Sequence, residues 1–413
     1  MVLAGRQVVV GVQQGRRTAP VLVAAVLALV AGCTGASSDA TADSGASSSA
    51  SSSAPAAPPA QLTVNIADGA TDVSPAQPLE VDVTDGELDD VTVTDGSGAP
   101  VDGALVPVDA DTEAWTPAQD LAYGTTYTVT ATAASAGDQV TTGTSTFTTV
   151  TPRLQDKPDI GPLDGTTVGV GMPVRVFFDE PVADQATVER HLTVTSSTPT
   201  DGVWSWVDAS EVHFRPSTYW PADTDVTVTA DLFGVDFGDG VWGKVDRTVS
   251  FHVGEAHVSV ADAAAHTLTV RSGGEVQQTF PMSAGSAENP THNGAHVVLE
   301  KFADITMDSS TFGLAADAPG GYRTPVKYAT RISNNGEFVH GAPWSVRQQG
   351  SSNVSHGCIN LTDERARWFY EFSQPGDVVE VVNSIGGTLG PADGDIYDWA
   401  VPWDQWTAGS ALS

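Results

Sequence analysis

A mainly β fold is predicted for this 413-residue chain: two tandem β-sandwiches, then a mostly-β catalytic-type domain with one main helix. Three observations predict it. The chain holds 41 glycines and 25 prolines, enough to punctuate many turns. Short Thr/Val-rich runs alternate apolar and polar residues at the period of two that a half-buried strand requires. A block of about 95 residues, finally, repeats once. The length suits about three domains at roughly 150 residues each. Hydrophobic residues make up 40% and charged residues 17%, with a mean hydropathy of −0.07. That balance fits a soluble globular protein and excludes a multi-pass membrane protein. Acids outnumber bases 51 to 18, and a net charge of −33 excludes the basic stripe that nucleic-acid binding needs.

Residues 1–32 read as a signal peptide. Before Asp39 the only charged side chains are Arg6, Arg16 and Arg17, and the apolar run Val21 to Val30 follows them. Such a run is too short to span a bilayer, which takes roughly 20 residues. It ends Leu29-Val30-Ala31-Gly32-Cys33, which resembles the lipobox of bacterial lipoproteins. The resemblance implies cleavage before Cys33 and lipidation of that residue, giving a membrane-tethered protein. An ordinary signal peptide with a chance cysteine is the alternative. Residues 33–60 then form a Ser/Ala/Pro tether with only Asp39 and Asp43 charged, too poor in apolar side chains to bury a core. A flexible tether of that length spans about 29 Å.

Residues 61–151 and 152–254 are the two sandwiches. Asp68-Gly69, Val73, Pro78 and Val81 are matched by Asp164-Gly165, Val168, Pro173 and Val176. Trp115-Thr-Pro117 with Tyr127 is matched by Phe214-Arg-Pro216 with Val226. Two tandem units of this size with short strands point to immunoglobulin-like β-sandwiches. Residues 33–254 carry 33 acids against seven bases, a charge read as solubility of the outer sheet faces. The turn Asp236-Phe-Gly-Asp239-Gly240 is a weaker calcium candidate, because the spaced oxygen ligands of a calcium loop are missing.

Residues 255–382 break the sandwich pattern. Strands are expected at Thr267–Val270, Val276–Met282, Val297–Leu299 and Val378–Val382, with a Gly-Gly turn at 273–274. The main helix runs from Asp363 to about Phe372, with Thr362 as its cap and Asp363 and Glu364 in the first turn. Chemistry concentrates in Ser355-His356-Gly357-Cys358-Ile359-Asn360. With Cys33 lipidated, Cys358 has no partner and is a free thiol in an exported protein. Gly357 permits close backbone approach, and a nearby helix N-terminus and His356 favour a thiolate. His340 closes the strand-like Glu337-Phe-Val-His340, and an adjacent strand would bring it to Cys358 as a base. An inert buried cysteine and a structural histidine are the plainer reading. Zinc on His340, His356 and Cys358 lacks a fourth ligand.

His340-Gly341 followed by Ser355-His356-Gly357-Cys358-Ile359-Asn360 resembles the signature of YkuD-type L,D-transpeptidases. The likeness runs on through Pro290-Thr-His-Asn-Gly294, Met307-Asp-Ser-Ser and Pro402-Trp-Asp-Gln-Trp406, covering residues 255–409. The two sandwiches and the lipobox match the membrane-tethered subgroup with two immunoglobulin-like domains. The resemblance implies Cys358 as nucleophile and His340 as general base, with the Gly341 carbonyl orienting its ring. The Gly341 position is expected to tolerate Ser as well as Gly. Backbone N–H groups of His356, Gly357 and Cys358 would form the oxyanion hole. Met307, Tyr322, Trp344 and Asn360 would bind substrate. Asp304 to Lys327, with Gly313, Gly320 and Gly321 as flexible points, would form a lid. The family has Tyr where this chain has Phe312, so no hydroxyl contact carries over there.

The reaction implied is acyl transfer between peptidoglycan stem peptides as donor and acceptor, forming 3→3 crosslinks with release of terminal D-Ala and needing neither cofactor nor metal. Carbapenems would acylate the same thiol. The implied location is the extracytoplasmic face of the cell membrane, in the cell wall space. An L,D-carboxypeptidase, an attachment or exchange enzyme, and a non-catalytic peptidoglycan-binding lipoprotein are the alternatives. Arg323, Lys327, Arg331 or Arg347 is a candidate to bind a stem carboxylate, with surface solvation as the plainer role. Residues 383–413 form a Trp-rich extension in which Trp399, Trp403 and Trp406 are expected to pack on the catalytic domain or the preceding sandwich, with a carbohydrate-stacking surface as the alternative. Nothing in the sequence fixes the oligomeric state.

Overall fold

The structure is a computed structural model that describes residues 58–109, 112–312, 315–319, 321–393 and 396–413. The signal peptide, Cys33 and most of the tether lie outside the described residues, as do Gly313 and Gly320 and the side chain of Phe312. Among the described residues no helix is long and apolar enough to cross a membrane.

In the first sandwich, one sheet orders Gln61–Val64, Leu79–Thr84, Thr112–Pro117 and Gly103–Pro107. The facing sheet orders Ala70–Val73, Val140–Thr149, Thr126–Ser135, Gly86–Asp95 and Pro100–Val101. The alternation read in the sequence sets the faces: Leu79, Val81 and Val83 are buried, while Glu80 and Asp82 point outward. Trp115, Tyr127 and Phe147 fill the space between the sheets. The second sandwich repeats the plan around Trp204, Phe214, Trp220 and Phe251. It adds a short helix, Gln185–Arg190, capped by Asp184, whose carboxylate accepts from the Thr187 N–H. The Asp236 carboxylate accepts from the Gly238 N–H at 2.8 Å, so it closes its own turn.

The last domain places two sheets around one core. The first orders Glu275–Pro281, Thr267–Ser272, Val258–Asp262, Val378–Val382 and Gly294–Val297; the second orders Lys301–Asp308, Arg323–Arg331, Phe338–Gly341 and Ile359–Leu361. Leu268, Met282, Ile332, Ile359, Leu361 and Phe369 are buried between them. The helix spans Asp363–Phe372. Thr362 Oγ1 accepts from the Arg365 N–H at 3.3 Å, which satisfies one of the free donors of the first turn. Ala366 and Phe369 face the core, and Pro375-Gly376 follows the helix end.

One expectation needs correction. The strand expected at Val297–Leu299 instead covers Gly294–Val297. Beyond it the chain leaves the sheet, and the Leu299 N–H bonds the Arg331 carbonyl. The proposed lid is largely a regular hairpin, since Lys301–Asp308 pairs with Arg323–Arg331 from Lys301↔Thr330 to Asp308↔Arg323. Apolar Met307 and Val326 pin the strands to a small core with Phe338 and Cys358. The extension packs on both the catalytic domain and the second sandwich. Asn293 Nδ2 of the catalytic domain holds the Ser384 and Gly386 carbonyls, and Trp399 Nε1 bonds Gly171 O and Trp406 Nε1 bonds Val203 O of the second sandwich. Arg215 lies 4.6–5.2 Å from the ring centroids of Trp399, Trp403 and Trp406, so one cation organises the three indoles.

The catalytic domain is joined to the second sandwich backbone to backbone. Gly169 N–H bonds Pro375 O and Gly171 N–H bonds Gly376 O, both at 2.8 Å. A Cβ on Gly169 would sit 2.2 Å from the Asp377 nitrogen, so only glycine permits this approach. Tyr219 OH adds a 2.9 Å bond to Glu380.

Candidate active site

Two adjacent parallel strands build the site. Phe338–Gly341 and Ile359–Leu361 pair with His340 opposite Asn360, which sets Cys358 at the entrance of the second strand, beside the first. A cavity of about 290 Å³ opens there, lined by Met307, Tyr322, Thr324, Val326, His340, Trp344, Val354, Ser355, His356, Cys358 and Asn360. Cys358 and His340 are 4% and 3% exposed, so both side chains lie at the cavity floor. Trp344 is exposed at its rim with its ring 6.1 Å from that of His340, and Tyr322 and His356 face each other at 5.2 Å.

The loop carrying the thiol is fixed from several sides. Gly357 sits at φ +108°, a conformation an L side chain rarely adopts. Ser355 Oγ accepts from the Gly357 N–H at 3.2 Å and donates to Cys358 O at 2.6 Å. The Gly357 N–H is thereby engaged inside the loop. The Cys358 thiol donates to Gly336 O at 3.5 Å. Burial pushes the thiol up to about 12, the Phe338 N–H working against this and the Glu337 charge adding to it.

His340 Nδ1 donates to Gly341 O at 2.9 Å, which leaves Nε2 as the basic nitrogen. Burial lowers this ring to about 4, although the Gly341 carbonyl and the Asn360 side chain both favour its protonated form. The imidazole and the thiol are therefore both neutral near pH 7. Asn360 is buried, and its Nδ2 donates to Ser345 Oγ at 3.1 Å, so it is anchored within the protein as well as lining the cavity. A Cβ at position 341 would meet Asp363 Oδ1 at 2.4 Å. A serine there would require that carboxylate, the end of a flexible side chain, to move.

None of Arg323, Lys327, Arg331 and Arg347 is among the residues lining the cavity. Arg323 pairs with Asp308 and Arg331 with Glu300. Sequence reasoning gave no role to Ser355, although it stands within the quoted motif; its hydroxyl in a Ser-x-Gly turn was the available signal. Among the described residues no group of three or more His, Cys, Asp or Glu side chains is placed to hold a metal ion.

The family model of the bacterial Ig domain matches residues 70–236, and that of the YkuD L,D-transpeptidase catalytic domain matches residues 256–381. L,D-transpeptidase 2 of Mycobacterium tuberculosis (strain CDC 1551 / Oshkosh) is 42% identical over 351 residues, which cover 85% of either chain. The chain belongs to the L,D-transpeptidase family. L,D-transpeptidase 5 of Mycobacterium tuberculosis (strain ATCC 25618 / H37Rv) is 41% identical over 85% of this chain and 77% of its own. A solved LD transpeptidase in complex with imipenem is 39% identical and covers 54% of this chain and 97% of its own, with a TM-score of 0.49. This L,D-transpeptidase is accordingly an acyltransferase, with immunoglobulin-like sandwiches preceding a YkuD catalytic domain.

Proposed function

We propose that this L,D-transpeptidase forms 3→3 peptidoglycan crosslinks by acyl transfer through Cys358. The observation that carries the reading is a thiol and an imidazole, both buried and both neutral, on the floor of one cavity. The carbonyl of the third stem residue enters the cavity and Cys358 Sγ turns from Gly336 O towards it. His340 Nε2 takes the thiol proton as the S–C bond forms, so no isolated charge is created at rest. The oxyanion is held by the His356 and Cys358 N–H groups. The proton on His340 passes to the departing nitrogen, and D-Ala leaves as the thioester forms. A side-chain amine of a neighbouring stem then attacks the thioester, His340 takes the amine proton, and the thiol is restored. The amide made equals in kind the amide broken, so no cofactor enters the balance.

Met307 and Tyr322 bound the donor side of the cavity and Trp344 its rim. Cys33 carries the lipid anchor in this proposal, which places the enzyme on the extracytoplasmic face of the cell membrane. The Leu29–Cys33 sequence supports that assignment. The same thiol is proposed as the target of carbapenem acylation.

Product analysis with a disaccharide-tetrapeptide tests the reading. Crosslinked dimers and free D-Ala are expected from the wild type, and neither from Cys358→Ala. Tripeptide and D-Ala without dimer would instead make water the acceptor, and a folded protein giving no product would leave only a binding role.

A further inference from the structure

One buried polar cluster has no part in the steps above. It lies directly behind the nucleophile loop. Glu337 is 4% exposed, yet its carboxylate is fully engaged. Oε1 accepts from the His292 backbone N–H at 2.9 Å and faces His292 Nδ1 at 3.0 Å. Oε2 faces His296 Nε2 at 2.9 Å and accepts from Ser333 Oγ at 3.2 Å. Two contacts tie this cluster to Cys358. Thr291, the residue before His292, is wholly buried; its Oγ1 donates to Gly357 O at 2.7 Å and accepts from the Gly285 N–H at 2.9 Å. Gly336, the residue before Glu337, supplies the carbonyl that takes the thiol hydrogen.

We propose that Glu337 is a positioning residue for the nucleophile. Braced by His292 and His296, its carboxylate fixes the segment through which Thr291 pins the Gly357 carbonyl, and its buried negative charge opposes a thiolate in the resting enzyme. Thiol deprotonation is thereby left to His340. The inference rests on Cys358 being the nucleophile.

The electrostatics agree with the geometry. Burial pushes the Glu337 carboxyl up, but hydrogen bonds from His292 and His296 outweigh it and hold the group at about 2. The groups facing it are His292 and His296, the thiol of Cys358, and Asp393, which reaches the cluster through His292 Nε2 at 3.4 Å. A charge fixed in a buried site beside a thiol is screened far less than in water, although Glu337 in turn favours the protonated form of His292, which offsets part of it. A thiol kept protonated is also spared the alkylation and oxidation that thiolates undergo.

The rate of Cys358 alkylation by iodoacetamide between pH 7 and 10, followed by intact mass, reads the thiol without any peptidoglycan substrate. It therefore separates this inference from the transpeptidase reading, which product analysis tests. In Glu337→Gln the rate curve is expected to move to lower pH by on the order of one unit, a tenfold faster reaction at a given pH. Thr291→Val keeps the wild-type curve but loses at least tenfold in kcat for the tetrapeptide donor with KM little changed, and Thr291→Ser recovers most of it. A folded Glu337→Gln with the wild-type curve overturns the proposal. So does an equal shift in Thr291→Val, which would make loosening of the loop the cause rather than charge. If Glu337→Gln does not fold, the Thr291 pair decides: wild-type kcat in Thr291→Val overturns the positioning role.

Discussion

The chemistry proposed for Cys358 depends on two residues being held in their uncharged forms by the same burial. His340 is lowered from 6.5 to about 4, so it is a free base across the neutral range and gains its proton only in strong acid. The acid limb of a pH–rate profile for kcat/KM is accordingly expected near 4, and a limb near 6.5 would mean that the ring is solvated. Gly357→Ala forces a side chain onto a φ of +108°, at a backbone cost of about 1–3 kcal/mol. It is expected to reduce kcat at least tenfold, which steady-state kinetics on the purified variant would check. Cys358 and His340 stood out in the sequence through the likeness of their motifs to the YkuD-type signature, and the fold brings both side chains to one cavity. Glu337 was not. A glutamate at the head of a strand reads as an exposed polar residue, and only the fold shows two histidines and a buried hydroxyl closing around it.

At the scale of elements, the Asp363–Phe372 helix was readable because its cap and first-turn acids are local signals. The Lys301–Asp308 and Arg323–Arg331 hairpin was not, because its glycine-containing connection suggested a lid while its stability comes from packing onto Phe338. The C-terminal extension was half legible: aromatic spacing announced packing, but the partner Arg215 stands about 190 residues upstream. Beside it, Asp398 and Glu211 face the two nitrogens of buried His213. Burial works against protonation there, yet the Asp398 charge and hydrogen bond, with those of Glu211, raise the ring to about 9. A raised histidine contributes stability that is fully present below pH 6.5 and lost as pH climbs through 9. Thermal stability is therefore expected to fall across pH 6.5–9, and much less in His213→Gln; parallel calorimetry of the two proteins decides this. Deleting residues 398–413 should lower the melting temperature at every pH.

For the whole molecule, the organising contact is the glycine junction between the second sandwich and the catalytic domain. Two backbone hydrogen bonds and the Tyr219–Glu380 bond couple elements some 160–210 residues apart in sequence. Gly169→Val places side-chain atoms into the Asp377 backbone and is expected to uncouple the domains, splitting one calorimetric transition into two. A single transition at the wild-type temperature would show that the junction adjusts. The tandem sandwiches could be read from their internal repeat, whereas this junction could not, since no local pattern marks which glycine meets which backbone. The central claim remains the covalent one, and intact mass spectrometry of the protein exposed to the tetrapeptide donor tests it most directly. A thioester adduct is predicted that maps to Cys358, is absent in Cys358→Ala and forms at least a hundredfold more slowly in His340→Ala. An adduct on another residue, or undiminished acylation without His340, would contradict the account.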